Sequence, residues 1–220
     1  MTSNQEDYLK VLYEAGGLER HISNKEIADK LAVAPASVSE MLAKLNQNGL
    51  VEYEPYKGSR LTEAGLAACM DVVRSHRLWE VFLMRHLGYT WREAHEDAHL
   101  LEHVAPARMV ERLDMFLNHP RMCPHGHEIP QRRELPHPVP LLRLSDLHVG
   151  ERAVVSQIEE EGALLDYLER IGLHIRKPVE VVEIEEYEGG VTFVQEGRMI
   201  HVGQAAARRI FVEREEGSEQ

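Results

Sequence analysis

The sequence predicts a mainly α-helical chain that ends in a β module: a winged helix-turn-helix, a helical middle and a small SH3-like β-barrel. Three observations carry that expectation. Two helix-length segments separated by a four-residue turn run straight into a hairpin; histidines and carboxylates then recur at helical spacing; past a cluster of prolines, short β-branched runs alternate with glycine turns. The expected boundaries are 1–73, 74–138 and 139–220.

Asn4 to Tyr13 has the apolar spacing of a short amphipathic helix, stopped by Gly16-Gly17. Ser23-Asn24-Lys25-Glu26 has the form of a capping box and opens a helix through Leu31. Ala32-Val33-Ala34-Pro35 is the turn into a second helix, which Gly49 ends. That second helix offers Pro35, Ala36, Ser37, Ser39, Glu40 and Lys44, small or hydrogen-bonding residues able to approach bases and phosphates, and Lys25 at the start of the preceding helix joins them. Leu50 to Tyr53 and Arg60 to Thr62 flank Tyr56-Lys57-Gly58-Ser59 as a hairpin whose Lys57 and Arg60 could meet a phosphate backbone. A small helical core without DNA function would share these helices; the hairpin in this order favours a DNA-binding wing.

Thr62 caps a long helix toward Gly88, and Thr90 with Glu93 caps the next. Pro106 opens a third, with Met109, Val110, Leu113, Phe116 and Leu117 as one stripe, either internal core or a dimer seam. Six of the ten prolines lie between 120 and 140, which reads as an extended linker. Strands are expected at Val154-Val155, Val179 to Ile184, Val191 to Val194 and Ile210 to Val212, with turns such as Glu188-Gly189-Gly190 and one helix near Gly162 to Ile171. An acidic tail closes the chain.

No apolar run approaches the roughly 18 residues of a membrane helix, no signal pattern opens the chain, and two cysteines make no disulfide framework. A soluble, cytoplasmic protein is expected, in which Cys123 can serve as a thiolate donor and Cys69 is a core residue. The net charge of −12 would argue against nucleic acid, but residues 1–75 carry 8 basic and 11 acidic groups while 139–220 carry 9 and 17. The sum therefore does not exclude DNA.

Nine of the thirteen histidines lie between 76 and 137. His95, His99, Glu102 and His103 share one helical face within about a 100° arc. His76 and Glu80 stand one turn apart, and Cys123 and His125 occupy a Cys-Pro-His-Gly turn. Nitrogen, oxygen and sulfur donors converging from such faces point to a divalent metal. His21, His86, His119, His127, His137, His148, His174 and His201 read instead as surface or linker residues, and Trp79 and Trp91 as core.

In this order the parts resemble the diphtheria-toxin-repressor family, most closely its manganese-responsive branch with a C-terminal SH3-like (FeoA-type) domain. The resemblance rests on Glu6-Asp7-Tyr8-Leu9, Asn24-Lys25-Glu26-Ile27-Ala28, Leu61-Thr62-Glu63-Ala64-Gly65, His76 through Leu83, Leu101-Glu102-His103 and Cys123-Pro124-His125-Gly126. It implies a repressor of metal homeostasis in which metal is the corepressor, ordering a homodimer on a partly palindromic operator, with no small organic substrate and no membrane. It implies a primary site of Asp7, His99, Glu102 and His103, with His76 near it. A second site would use His76, Glu80, Cys123 and His125, with His95 as the ligand some relatives use and an acid from the C-terminal domain. That acid aligns with Glu160, which Glu159 and Glu161 flank. Iron-responsive relatives carry methionine at the position of Asp7, and a hard carboxylate suits Mn(II). His99 departs from the glutamate of manganese-type and the cysteine of iron-type relatives and leaves the metal open. Mn(II) is expected first, Fe(II) next, with Co(II) or Zn(II) substituting in vitro. Lys10 stands where some relatives have an acidic ligand, which argues against a two-ion cluster like theirs.

Two rivals differ in class. His95-Glu96-x-x-His99 satisfies the H-E-x-x-H pattern of zinc metallopeptidases, which need an open coordination position and Glu96 as general base. A winged-helix regulator sensing an organic ligand would leave the metal donors idle.

Overall fold

The computed structural model describes residues 1–54, 56–131, 141–187 and 189–214. Contacts divide the chain into two units. Unit 1 comprises Met1–Ser75, Glu102–Val104 and, among the described residues that follow, 130–131; unit 2 comprises His76–Leu101, Ala105–Ile129 and the described residues from 141 onward.

Unit 1 is a winged helix-turn-helix. α1 (Ser3–Glu14) starts on a Thr2–Gln5 capping box and buries Tyr8, Leu9 and Leu12. α2 (Asn24–Leu31) and α3 (Pro35–Gln47) follow, joined through Ala32 in the left-handed region. Ser23 caps α2 at the Glu26 amide, but the expected reciprocal half of the box is absent: Glu26 takes two hydrogen bonds from the Arg20 guanidinium. β1 (Val51–Glu54) and β2 (Gly58–Leu61) form the antiparallel hairpin, with Val51 opposite Leu61. Leu9, Leu12, Ile27, Val38, Leu42, Leu45 and Val51 meet in one core, with Cys69 among them. α4 (Glu63–Leu87) opens beneath Thr62, whose hydroxyl accepts from the Gly65 amide. A side chain at Gly65 would collide with the Leu50 carbonyl, so glycine sets how closely α4 approaches the hairpin.

Unit 2 takes the second half of α4, then α5 (Trp91–Leu101) and α6 (Ala107–Phe116). Thr90 and Glu93 bond reciprocally, the capping box expected for α5. The α6 stripe splits: Val110, Leu113 and Leu117 are buried with Leu78 and Trp79, while Met109 and Phe116 are exposed. The segment read as the start of an extended linker is instead folded. Met122 pairs with Glu128, Pro120, Cys123, His125, Ile129 and Pro130 are buried, and the Glu128 carbonyl accepts from Arg77. Burial of Ile129 and closure of a tight turn override the proline content here. The remainder of that expected linker, 132–140, lies outside the described residues, as do His137, Glu188 of one expected turn and the acidic tail from 215.

The β module is one antiparallel six-stranded sheet in the order β3-β8-β4-β5-β6-β7. Its strands are β3 (Leu142–Arg143), β4 (Arg152–Ile158), β5 (Pro178–Glu185), β6 (Gly190–Gln195), β7 (Arg198–Val202) and β8 (Ile210–Arg214). β7 was not among the expected strands, because Arg198 and His201 interrupt its apolar residues. α7 (Gly162–Ile171) caps the sheet, α8 (Gln204–Ala207) is one turn, and Val155, Leu165, Phe193, Ile210 and Val212 form the core with Trp91 of α5. α7 lies against α5: Arg92 reaches Asp166 at 2.8 Å and the Trp91 amide donates to Glu169. No helix among the described residues is long and apolar enough to cross a membrane.

Candidate metal centres and nucleic-acid surface

The first centre lies in unit 1, where α1 meets the segment that follows α5. Asp7 Oδ1 stands 2.8 Å from His103 Nε2, and Glu6 Oε2 stands 2.7 Å from His103 Nδ1. Glu102 Oε1 is 3.2 Å from the same Nε2. One imidazole is thus ringed by three carboxylates. The other Glu102 oxygen accepts from Lys10 Nζ at 2.8 Å, in an ion pair whose side chains are 8% and 0% exposed. Tyr8, Leu9, Lys10 and Leu12 are the buried residues of α1, so the lysine stem packs inward and carries its charge to Glu102. His99 belongs to unit 2, exposed in the last turn of α5.

The second centre lies wholly in unit 2. α4 supplies His76 and Glu80 one turn apart, α5 supplies His95, a turn supplies Cys123 and His125, and Glu160 follows β4. Glu80 Oε1 is 3.0 Å from His76 Nε2, 3.2 Å from His95 Nδ1 and 3.1 Å from His125 Nδ1. Glu160 Oε1 is 3.1 Å from His125 Nδ1 and 3.9 Å from Cys123 Sγ, while its Oε2 is 3.9 Å from His95 Nδ1. The Cys-Pro-His-Gly turn reaches this place because Gly126 lets it dock on β4. With φ of +89°, a side chain at Gly126 would strike the Ser156 carbonyl, and the His125 carbonyl accepts from the Ile158 amide. Ser156 sits where the β4–β8 register shifts, a bulge that turns the strand end toward the turn. Beyond it the chain alternates: Glu159 and Glu161 both pair with Arg209, while Glu160 faces the histidines.

The electrostatics fit a cation. Burial works to raise the Glu80 carboxyl, but the charges of His125 and His76 outweigh it and hold it well below its ordinary value. Burial works to lower His125, and Glu80 outweighs it, holding the ring well above its ordinary range. Glu160 is lowered against burial and Glu80 by His127 and His125. Burial, reinforced by Glu80, pushes the Cys123 thiol up to about 12, so the sulfur is protonated until a cation displaces its proton, contrary to the expectation of a ready thiolate. Glu80 Oε2 and His125 Nε2 are buried without a hydrogen-bond partner. Buried polar atoms left this way are unfavourable, and nitrogen, oxygen and sulfur donors at these spacings match a first-row divalent ion.

Two residues taken as surface positions or passed over belong here. His127 is half-buried, its Nε2–H donating to the Ile158 carbonyl at 2.9 Å and standing 3.7 Å from Glu160. Glu6 flanks His103. A His two residues beyond His125, and an acid beside Asp7, were the available signals. The peptidase pattern does not assemble: Glu96 is exposed and accepts from Arg92 at 2.7 Å, while His95 turns to Glu80.

Lys25, Pro35, Ala36, Ser37, Ser39, Glu40, Lys44, Lys57 and Arg60 are all exposed in unit 1. Ser39 accepts from Asn24 at 3.0 Å, which ties α3 to α2. Three of these cations have a local acid: Lys44 with Glu40, Lys57 with Glu54 and Arg60 with Glu52, at 2.8, 2.6 and 2.6 Å. Exposed pairs of this kind contribute little, so their cations can exchange a carboxylate for a phosphate.

Three family profiles tile the chain. The N-terminal DNA-binding domain of iron-dependent repressors matches residues 1–59, their metal-binding and dimerisation domain 62–131, and a FeoA domain 142–214. The iron-dependent repressor IdeR of Mycobacterium tuberculosis is 31% identical over 73% of this chain and 74% of its own length. Among solved structures, the manganese regulator SloR is 38% identical with a TM-score of 0.81, covering 98% of this chain and 100% of that one. A manganese-dependent transcriptional repressor in complex with manganese is 32% identical with a TM-score of 0.87, covering 96% and 100%.

Proposed function

Because the chain belongs to the iron-dependent repressor family of metal-responsive DNA-binding regulators, we propose that it is a Mn(II)-activated repressor. It would bind a partly palindromic operator as a homodimer in the cytoplasm. The domains run 1–73 for DNA binding, 74–138 for metal binding and dimerisation, and 139–220 for the SH3-like module. The carrying observation is His103 between the carboxylates of Asp7 and Glu102, which are 2.8 and 3.2 Å away.

A bound divalent cation supplies the charge and directed coordination that draw such donors together. Asp7 and Glu102 lend oxygens and His103 a nitrogen, with His99 the fourth donor implied by the resemblance. Asp7 stands on α1, whose apolar face shares a core with α2 and α3. Holding Asp7 therefore holds the helix that supports the recognition helix, and operator affinity rises to the extent that this conformer is favoured. Among the donors proposed here, two of the three in unit 1 are carboxylates, a hard set that supports Mn(II) over softer ions. The SloR and manganese-bound relatives support the same choice, while IdeR keeps Fe(II) as the second candidate. Met109 and Phe116, exposed on α6, support that helix as the dimer seam.

The test is operator binding by fluorescence anisotropy, with a duplex selected from a random pool, at buffered free Mn(II), Fe(II), Co(II) and Zn(II). Binding should require metal, vanish with chelator and fall steeply with salt. Equal affinity in the chelated protein would refute it; activation by Fe(II) alone would reassign the metal.

A further inference from the structure

We infer that the second centre holds two ions, bridged by the carboxylates of Glu80 and Glu160. The inference rests on the reading of these residues as metal ligands and adds a second cation site to it.

The donors close within 4.8 Å of one another as two sets of four, His76, Glu80, His95 and Glu160, and Glu80, Cys123, His125 and Glu160. Both carboxylates belong to both sets. A single ion holding all six at about 2.0–2.3 Å would bring every pair within about 4.6 Å, even those across the ion. The arrangement is two fours rather than one six, and four nitrogen, sulfur and carboxylate donors complete a site of the zinc type.

The carboxylates are turned as a bridge requires. Glu160 presents Oε1 to His125 and Cys123 and Oε2 to His95, one oxygen to each set. Glu80 Oε1 faces His76 and His95 of one set and His125 of the other, and its Oε2 is buried with no hydrogen-bond partner. Glu80 and His125 are fully buried, so bulk water does not solvate Glu80 Oε2 or His125 Nε2. Two ions joined by a carboxylate stand roughly 3.5–4 Å apart, a span that two sets sharing both acids can hold. Both ions are first-row divalent cations, and the set bearing Cys123 selects the softer one, with loss of the thiol proton.

The experiment uses the full chain carrying Asp7→Ala and Glu102→Gln, which removes the first centre from the count. Co(II) bound per chain is measured by equilibrium dialysis and metal analysis, with sulfur-to-cobalt absorption as the reporter of Cys123. Two ions per chain are expected. Adding His95→Ala should leave one ion with the sulfur band retained; adding Cys123→Ser should leave at most the other, without the band. A single ion per chain overturns the two-ion inference while leaving the metal reading intact, and no ion overturns both. Should the added substitutions unfold unit 2, low-temperature Mn(II) resonance spectra of the double variant decide alone. A spin-coupled pair supports the bridge, and a spectrum of isolated ions only refutes it.

Discussion

At Glu102 one carboxylate oxygen is bonded to a buried ammonium, whereas at Glu80 one oxygen faces three imidazole nitrogens and the other has no partner. Both glutamates are buried beside imidazole and a second carboxylate. Their counter-charges differ. Lys10 neutralises Glu102 permanently and, while charged, cannot bind a metal, so the first centre offers one Glu102 oxygen beside Asp7 and His103. The counter-charge at Glu80 is protons on histidines, which a cation can displace. A lysine holds its carboxylate against a second ion; histidines hold theirs ready for one.

The largest effect expected is at the first centre. Glu102→Gln keeps the side chain's shape but removes the charge shared by Lys10 and the ion, and should weaken metal-activated operator binding by more than about 100-fold. Anisotropy titrations at fixed free Mn(II) check it. If Glu80→Gln has the larger effect, the ranking of the centres is reversed.

Lys10→Met should separate the fixed counter-charge from the exchangeable ones. Breaking a buried ion pair leaves Glu102 uncompensated, so the metal-free protein should lose roughly 3–5 kcal/mol of stability. Mn(II) should restore part of that loss, so that the metal-induced rise in Tm exceeds that of the unaltered chain. An unchanged metal-free Tm would show that the Lys10–Glu102 bond does not hold α1.

The pH dependence sharpens the same contrast. His125 is raised above 6.5, so its contribution to metal-free stability is complete below that value and is lost as the pH rises through its raised pKa. Glu80 and Glu160 are lowered below 4.5, so theirs is complete above that value and is lost as the pH falls through their lowered pKa values. The metal-free second centre should be most stabilising between about 4.5 and 6.5. Metal affinity there should rise with pH, roughly tenfold per unit for each proton released. Calorimetry in buffers of different ionisation enthalpy counts those protons, and no release on binding would contradict the protonated cysteine and histidine.

The smallest effect is expected at Glu96, which lies outside both centres. Glu96→Ala should change stability by no more than about 0.5 kcal/mol and leave metal-activated binding intact. Loss of binding in that variant would revive a role for the H-E-x-x-H pattern.

What the sequence disclosed, it disclosed through local rules. Ser23, Pro35 and Thr90 mark helix starts whatever lies elsewhere, and β-branched runs mark β4, β5, β6 and β8. Lys10 with Glu102 was beyond such rules, since the pair is separated by 92 positions and lysine is usually exposed. The acidic run 159–161 offered no choice by composition. Period-two alternation from the buried Ile158 does, because it places Glu160 on the inner side and its neighbours outside with Arg209. The folded turn at 122–130 was masked by its prolines, although Ile129, buried in the core, was there to be read.

The place of Glu160 in the chain has a further consequence for how the protein is made. Every unit 1 donor of the first centre, from Asp7 to His103, has been synthesised before the β-sheet begins. The second centre cannot close until Glu160 has left the ribosome and β4 has paired to form the surface that receives Gly126. Domains fold as they emerge, so His76, Glu80, His95, Cys123 and His125 stand as an incomplete donor set while the sheet is still being built. A cation captured in that interval meets histidines and a thiol without the closing carboxylate. The order of synthesis thus exposes the cysteine-bearing centre to ions that the finished protein would meet only with Glu160 in place.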